Sequence, residues 1–551
     1  MLVDHDVVGR ADRSQPATAN RPPVIQNASM NLFLAALFAV LTPSPLAPAR
    51  PNVIMIVCDD LNTTSIGHLK DLVGGHPQSR TPNIDALASS GVSFRRAYSN
   101  NPICAPSRSS FLTGIYPHTS GNLYFQNWTE NPVLAQSRTL MEHFRCNGYI
   151  VVGSGKMMHS ERLADWDEFP HSVNYGPMAY DGKKRVGHPA VPEPFRSIGP
   201  IDGSFAPLSD VPFGEKEGGG WIDGTWGKIK RMDYTADDKR DATPDEKVAD
   251  WAAQRLKTFA REAAESSHPK PFFMGVGFVR PHTPMHAPKK YFDMFPLASM
   301  QLPVIRKNDA ADTHYRSVFT EQKKGIDYFK KIGLSYATPE DGLKSYVRAY
   351  LACVAAVDDN IGTVLEALDQ SPLKNNTIVI LTSDHGFNLG EKDYLFKDSP
   401  WEESMRVPLI VRAPGVSPAG GIAEHPVGLV DIYPTLVDLC GLTGDTRKNP
   451  QGKPLDGFSM RPFLENPASR EWQGPDFALS MIYAGQGEKS HHWCVRSERW
   501  RYIRYSNGNE ELYDHQSDPH EWTNLAAYPE HEASRKAMFS RLPEFVRASA
   551  R

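Results

Sequence analysis

At 551 residues the chain is longer than one ordinary domain and can bury a large core. Charged residues make up 23% and apolar residues 40%, the balance of a globular protein, and 45 prolines with 41 glycines call for many loops. A net charge of -4 excludes nucleic-acid binding by bulk field, so an anionic substrate needs a local basic pocket.

Residues 1–50 read as a leader. Met30 to Leu41 is a largely apolar run, too short to span a bilayer but suited to the core of a signal peptide, with Ala47-Pro48-Ala49 as a cleavage site. This predicts an exported protein. The mixed charges ahead of it, such as Asp4, Asp6, Arg10 and Arg13, fit a signal peptide poorly, and an apolar tail on a cytosolic protein is the alternative. No later stretch is long and apolar enough for a membrane helix, which predicts no integral membrane segment.

Asn52 to Cys58 is a continuous apolar run, expected as a central parallel strand buried on both faces. It ends in Asp59-Asp60. Two adjacent carboxylates at such a strand end are costly unless a cation or protons neutralise them. Ligands of open α/β sheets gather at that edge, so a metal site stands beside the plainer reading of a solvated turn. Thr81 to Gly91 reads as a capped helix stopped by glycine, and Val92 to Ala97 as a short strand.

Cys104-Ala105-Pro106-Ser107-Arg108 opens a helix that Gly114 should stop. Ser107 and Ser109 are of the kind found at helix starts. The helix dipole and Arg108 both favour an anionic or strongly polarised group at position 104, and the same fields suit an oxyanion. A small buried thiol beside a surface arginine is the alternative. A tyrosine-phosphatase loop is excluded, because it needs arginine where this chain has Ser110. The other cysteines form no close pair, so a zinc site is not expected, and Cys58, Cys353 and Cys440 read as core thiols.

Leu140 to Cys146 reads as a helix and Tyr149 to Val152 as a strand, which delivers Gly153-Ser154-Gly155-Lys156 and then His159. Glycines there let the backbone approach a ligand. Residues 160–245 lack periodicity and read as long loops near the mouth of a site, with Trp166, Trp221 and Trp226 as a sugar-stacking wall or as loop anchors. Pro244 to Leu256 begins an amphipathic helix. Pro271 to Phe278 is a buried strand that presents His282 between Pro281 and Pro284. Leu343 to Leu368 carries apolar residues at helical spacing, with Asp358 and Asp359 expected on its polar side. The strand Ile378 to Thr382 ends in Ser383-Asp384-His385-Gly386, and Lys397 follows. Three carboxylates and one imidazole thus converge on one sheet edge, a donor set that favours Ca²⁺ ahead of Mg²⁺ over zinc.

Arg406 to Arg412 is a further strand and Asp431 to Gly441 a short helix with a glycine stop. From Phe477 the period changes to short antiparallel strands, with Asn507-Gly508 as a hairpin turn and a closing helix from about Glu532 to Val546. His491-His492-Trp493 is a candidate lining of the substrate pocket. The sequons at Asn62, Asn127 and Asn375 are glycan acceptors only in a host that glycosylates.

Cys104-x-Pro-Ser-Arg108 with Phe111-Leu-Thr-Gly114 resembles the maturation and active-site motif of type I sulfatases. Val57-Cys-Asp-Asp60, Thr81-Pro-Asn-Ile-Asp85, Gly155-Lys-x-x-His159, Pro281-His-x-Pro284, Thr382-Ser-Asp-His-Gly386 and the segment Glu511 to Leu525 are similar to further family motifs, in the expected order over residues 51–530. The resemblance is nearest to iduronate-2-sulfatase-like members, which match His385 where many relatives carry asparagine. It implies an α/β fold, an alkaline-phosphatase-like core with a large mixed, mostly parallel sheet between helices and a small C-terminal antiparallel sheet domain. The expected division is 1–50 leader, 51–442 catalytic domain and 443–551 C-terminal subdomain. It further implies that a formylglycine-generating enzyme oxidises Cys104 to formylglycine. Asp59, Asp60, Cys104, Asp384 and His385 would hold the metal. Arg108, Lys156 and Lys397 would bind the sulfate, His282 would protonate the leaving group, and His159 would act as base at residue 104. The expected substrate is a sulfated carbohydrate, with a 2-O-sulfated uronic acid as the leading candidate. A choline-sulfatase-like enzyme, a thiol-based phosphate or phosphonate monoester hydrolase, and a non-enzymatic glycan-binding relative stay open.

Overall fold

The computed structural model describes residues 50–549 apart from 215–217, 226, 228, 237–238 and 486–490. The apolar run at 30–41 and Trp226 lie outside the described residues. Seven strands build the main sheet: β1 (Asn52–Asp59), β2 (Val92–Phe94), β3 (Ile150–Gly155), β4 (Phe272–Pro281), β5 (Thr377–Ser383), β6 (Leu409–Arg412) and β7 (Gly421–Ala423). Their spatial order is β7-β2-β6-β5-β1-β4-β3. The run β5-β1-β4-β3 at one end is parallel throughout, and only β6 runs against its neighbours.

All of β1 is buried. Ile54, Ile56 and Cys58 enter one core, while Val53, Met55 and Val57 enter another on the opposite face. An unbroken apolar run is what a strand between two helical layers requires. Helix α1 (Cys104–Thr113) sends Phe111 and Leu112 into the second core. Helices α2 (Pro244–Glu265) and α3 (Pro339–Asp369) cover the first. Helix α2 starts on a capping box, Thr243 Oγ1 accepting from Glu246 N and Glu246 Oε2 accepting from Thr243 N at 2.7 Å.

Beside the core lies an antiparallel meander of β8 (Phe477–Ile482), β9 (His492–Ser497), β10 (Trp500–Arg504) and β11 (Glu510–Asp514). Asn507-Gly508 makes the β10–β11 turn, with Gly508 at φ 91°.

Several expectations are corrected. Asp358 is not on a polar face: it is buried and accepts from Asn83 N at 3.1 Å and Ile84 N at 2.8 Å, capping the helix Pro82–Ser89 across space. The closing helix is two pieces, Glu532–Phe539 and Glu544–Ser549, because Pro543 lacks the N–H that would continue the first. Val92 to Ala97 divides between two sheets, with Ala97–Tyr98 pairing Arg406–Val407 instead of joining the main one. Residues 160–245 are not only loop. They hold the strands Met178–Tyr180, Gly220–Ile222 and Arg231–Met232 and a small core around Trp221 and Tyr234. Asn62 is buried and its Nδ2 donates to Phe387 O, so it is no glycan acceptor, whereas Asn127 and Asn375 are exposed. All six cysteines are free thiols, and only Cys146 is exposed.

Candidate active site

The parallel strands carry the chemistry to one edge. Cys58 is in register with Ser383 of β5, and Asp59 pairs Pro281 of β4. Gly155 of β3 pairs Gly277. Asp59-Asp60, Asp384-His385, His282 and Lys156 therefore leave the sheet at the same level. Gly155 cannot be replaced: at φ +83° a Cβ would lie 1.9 Å from Gly277 O. Asp60 takes the left-handed region at φ 65°, which a non-glycine residue adopts at a cost. Asp384 Oδ1 accepts from its N–H at 3.2 Å, and Tyr350 OH donates to its carbonyl at 2.6 Å. That turn sends both carboxylates of the pair to one point.

Cys104 is the first residue of α1, and Gly114 at φ 69° ends the helix as expected. Ser107 and Ser109 do not cap it. Ile103 holds the cap position, Ser107 Oγ donates to Asp384 O at 2.5 Å and Ser109 Oγ to Pro106 O at 3.1 Å. Arg108 is not a surface residue either, being 0% exposed. Its Nε donates to Asp384 Oδ2 at 2.9 Å, its Nη1 to Lys156 O and to Met157 O at 3.1 Å, and its Nη2 lies 3.7 Å from Asp59 Oδ1.

The ligand atoms of Asp59, Asp60, Cys104 and His385 all lie within 4.8 Å of one another. The Cys104 thiol donates to Asp59 Oδ1 at 3.5 Å; His385 Nε2 is 3.3 Å and Lys397 Nζ 3.1 Å from its sulfur. Lys397 also pairs with Asp60 Oδ1 at 2.8 Å, and Lys156 pairs with Asp59 Oδ2. Asp384, the fifth expected ligand, is held by Arg108, with its Oδ2 3.7 Å from His385 Nε2.

These residues fit a hard divalent cation. Asp60 Oδ2 is buried with no hydrogen-bond partner. His385 Nδ1 faces Gly386 O at 3.0 Å and, donating there, leaves the Nε2 lone pair for the cluster. Oxygen donors with one imidazole suit Ca²⁺ or Mg²⁺. Burial raises Asp60 above the carboxylate range; Lys397 opposes this and Asp59 adds to it. Burial would raise Asp59 too, but Lys156, His282 and Arg108 outweigh it and hold the group well below that range. Burial, with Asp59 adding to it, pushes the Cys104 thiol up to about 12.

A cavity of about 600 Å³ opens over Cys104, and Lys397, His282 and His159 line it. Lys397 is 4% exposed, not an ordinary surface lysine. His282 N donates to Asp59 O at 3.1 Å, its Nδ1 faces Thr283 O, and its Nε2 lies 4.0 Å from Asp60 Oδ2. Burial, then Lys397, holds His282 well below its usual value. His159 is half-buried against Phe125, ring centroids 5.1 Å apart, and is lowered to about 4 by burial and then by Lys156. The expected catalytic residues thus meet in one place.

The walls were not expected. Tyr175 lies under Lys156 Nζ at 5.0 Å and beside the His282 ring at 5.0 Å; Tyr124, Phe125, Lys323 and Asp398 also line the cavity. None carries a local signal, since each comes from a loop or a short turn. The tryptophans do not form a stacking wall: Trp166 packs over Gly153 and Gly275, and Trp221 Nε1 donates to Leu208 O at 2.8 Å. His491, His492 and Trp493 do not line this cavity. His492 packs on Phe319 and Tyr505, and His491 and Trp493 line a separate groove.

An alkaline-phosphatase-like sheet with carboxylates, a helix-start cysteine and buried cations at its edge defines a hydrolase of anionic esters. Residues 51–442 match the sulfatase family, and the chain belongs to it as a sulfuric ester hydrolase of the type I superfamily. Residues 390–548 match the C-terminal region of N-sulphoglucosamine sulphohydrolase. The chain is 32% identical over 505 residues to a sulfatase of Formosa agariphila, covering 90% of this chain and 87% of that one. It is 28% identical to the iduronate 2-sulfatase of Mus musculus, covering 76% and 75%. Its fold is also similar to the phosphonate monoester hydrolase of Agrobacterium radiobacter, with a TM-score of 0.63 at 24% identity over 91% of this chain and 96% of that one. No helix among the described residues is long and apolar enough to cross a membrane.

Proposed function

We propose that the protein releases sulfate from a sulfated carbohydrate, with Cys104 converted to formylglycine by a formylglycine-generating enzyme and a divalent cation, Ca²⁺ ahead of Mg²⁺, at the sheet edge. The observation that carries this is the convergence of Asp59, Asp60, Cys104 and His385 within 4.8 Å beneath a cavity lined by Lys397, His282 and His159. Asp59, Asp60, Asp384, His385 and residue 104 would hold the cation. When bound, the cation and the hydrated aldehyde supply a polarising charge for the sulfate oxygens and a hydroxyl nucleophile.

The chain's own residues do the rest. Lys397 lines the cavity, buried and already oriented, so it stabilises charge on the sulfate without reorganising, while Lys156 and Arg108, buried beneath, add their positive field. His282 gives Nδ1 to a carbonyl, which leaves Nε2 as the atom that carries a proton to the leaving alkoxide. Burial and Lys397 hold it well below its usual value, and an arriving sulfate ester supplies the negative charge that favours its protonated form. His159, lowered to about 4, is neutral, the form a base at residue 104 requires.

Residues 51–442 are read as the catalytic domain and 443–551 as the smaller one. Export rests on the run Met30 to Leu41.

The test is the mass of the peptide spanning position 104, together with sulfate release from defined glycans. The expected mass is that of the thiol less H₂S plus oxygen. Cys104→Ala is expected to lower turnover by at least about 10⁴-fold. An unmodified thiol in a fully active enzyme, or full turnover by Cys104→Ser, would refute the assignment.

A further inference from the structure

Above its floor, the cavity carries its charge as ion pairs. Lys323 Nζ sits on Asp398 Oδ2, and Lys324 Nζ lies 3.2 Å from Asp202 Oδ2. Asp202 is fixed further by Thr283 Oγ1 and Tyr328 OH, each at 2.8 Å. Among the described residues no arginine lines this cavity, and Lys397 is committed to Asp60 and Cys104 below. A sulfate is therefore met at the floor, while two lysines and two aspartates balance in the walls. The mouth is aromatic, with Tyr124 39% and Phe125 50% exposed.

From this balance we infer that the sugar accepted here is neutral apart from its sulfate ester, and that a uronate is rejected by Asp398 and Asp202. This rests on the sulfatase reading and replaces the 2-O-sulfated uronic acid suggested by resemblance. A second anionic group entering the cavity would face both aspartates. To gain a cation it would have to draw Lys323 from Asp398 or Lys324 from Asp202, and so strand a carboxylate that is 9% exposed in the first case and has 14% of its side chain exposed in the second. A neutral ring has no such difficulty. It stacks on Tyr124 and Phe125, and its hydroxyls meet the paired aspartates and lysines without adding a charge to the cavity.

The full-length, formylglycine-bearing enzyme is tested on a monosulfated neutral hexoside, a 2-O-sulfated uronoside of the same size, and nitrophenyl sulfate. The expected kcat/KM for the neutral sugar exceeds that for the uronoside by about a hundredfold or more. Asp398→Asn removes the repelling charge and frees Lys323, and is expected to shrink that ratio by about tenfold or more. Asp202→Asn is the second variant should the first not fold. A uronoside cleaved as well as the neutral sugar overturns the inference, as does a ratio that neither folded variant moves, or turnover of the aryl ester with neither sugar cleaved. Nitrophenyl sulfate carries no sugar, so failure to release sulfate from any of the three esters sinks the sulfatase reading instead.

Discussion

Two buried charge clusters invite comparison. One is the floor under the cavity. The other ties the segment after Trp401 to the C-terminal sheet through Glu402, Glu521, His515, Arg406, Arg496 and Arg501. Both bring at least three potential ligand residues within 4.8 Å. In the second, every carboxylate oxygen has a partner. Glu402 Oε1 accepts from Tyr98 OH at 2.8 Å and faces Arg406 at 3.3 Å, while its Oε2 meets Arg496 and Arg501. Glu521 Oε1 meets Arg501 and His515, and its Oε2 accepts from Glu402 N at 3.1 Å. Burial would raise Glu402, but Arg496 and Arg501 hold it well below its usual range. On the floor the sign reverses for Asp60, which is raised and keeps one oxygen unpartnered. A cluster of carboxylates is thus not in itself a site. An undercompensated cluster opening into a cavity has a use for a cation, and a closed one holding three guanidiniums is architecture.

The sharpest way to break this contrast is to remove divalent cations. Chelation is expected to lower sulfate release by about 10³-fold, with Ca²⁺ restoring it and melting of the C-terminal sheet hardly changed. Loss of structure without loss of activity would reverse the roles given to the two clusters. Lys397→Ala comes next, with kcat expected to fall about 10²–10³-fold while the thermal midpoint stays near wild type. Arg501→Ala is the converse. It strands Glu402 and Glu521 and is expected to cost about 3–5 kcal/mol in denaturant unfolding, with activity per folded molecule retained.

The pH dependence is the smallest effect. Glu402 and Glu521 are held below their ordinary value of 4.5, against burial, chiefly by Arg496 and Arg501 for the former and Arg501 and His515 for the latter. Burial lowers His515 below 6.5, and Arg496 adds to this. In each case the unfolded chain takes up protons at higher pH than the folded one. Stability is therefore present above those ordinary values and lost as pH falls, first below 6.5 and more steeply below 4.5. A denaturation midpoint flat from pH 7 to about 4 would show that this network does not act as described.

By itself the sequence named most of the residues that meet at the candidate site. Buried parallel strands betray themselves by unbroken apolar runs, and the residues just beyond such a run must sit at the sheet edge; Asp59, Lys156, His282 and Asp384 were legible for that reason. Cys104 was legible because a helix start is a local event. Only the tertiary structure decided the burial of Arg108, the capping role of Asp358, and the cavity walls of Tyr124, Tyr175, Asp202, Lys323 and Asp398. The wall residues lie on loops and turns far apart in the chain, and Arg108 and Asp358 on helices whose partners are distant in sequence, so no period or spacing records which side chains will meet. Their pairing is a matter of packing, and the charge balance that discriminates between substrates exists only once the chain has folded.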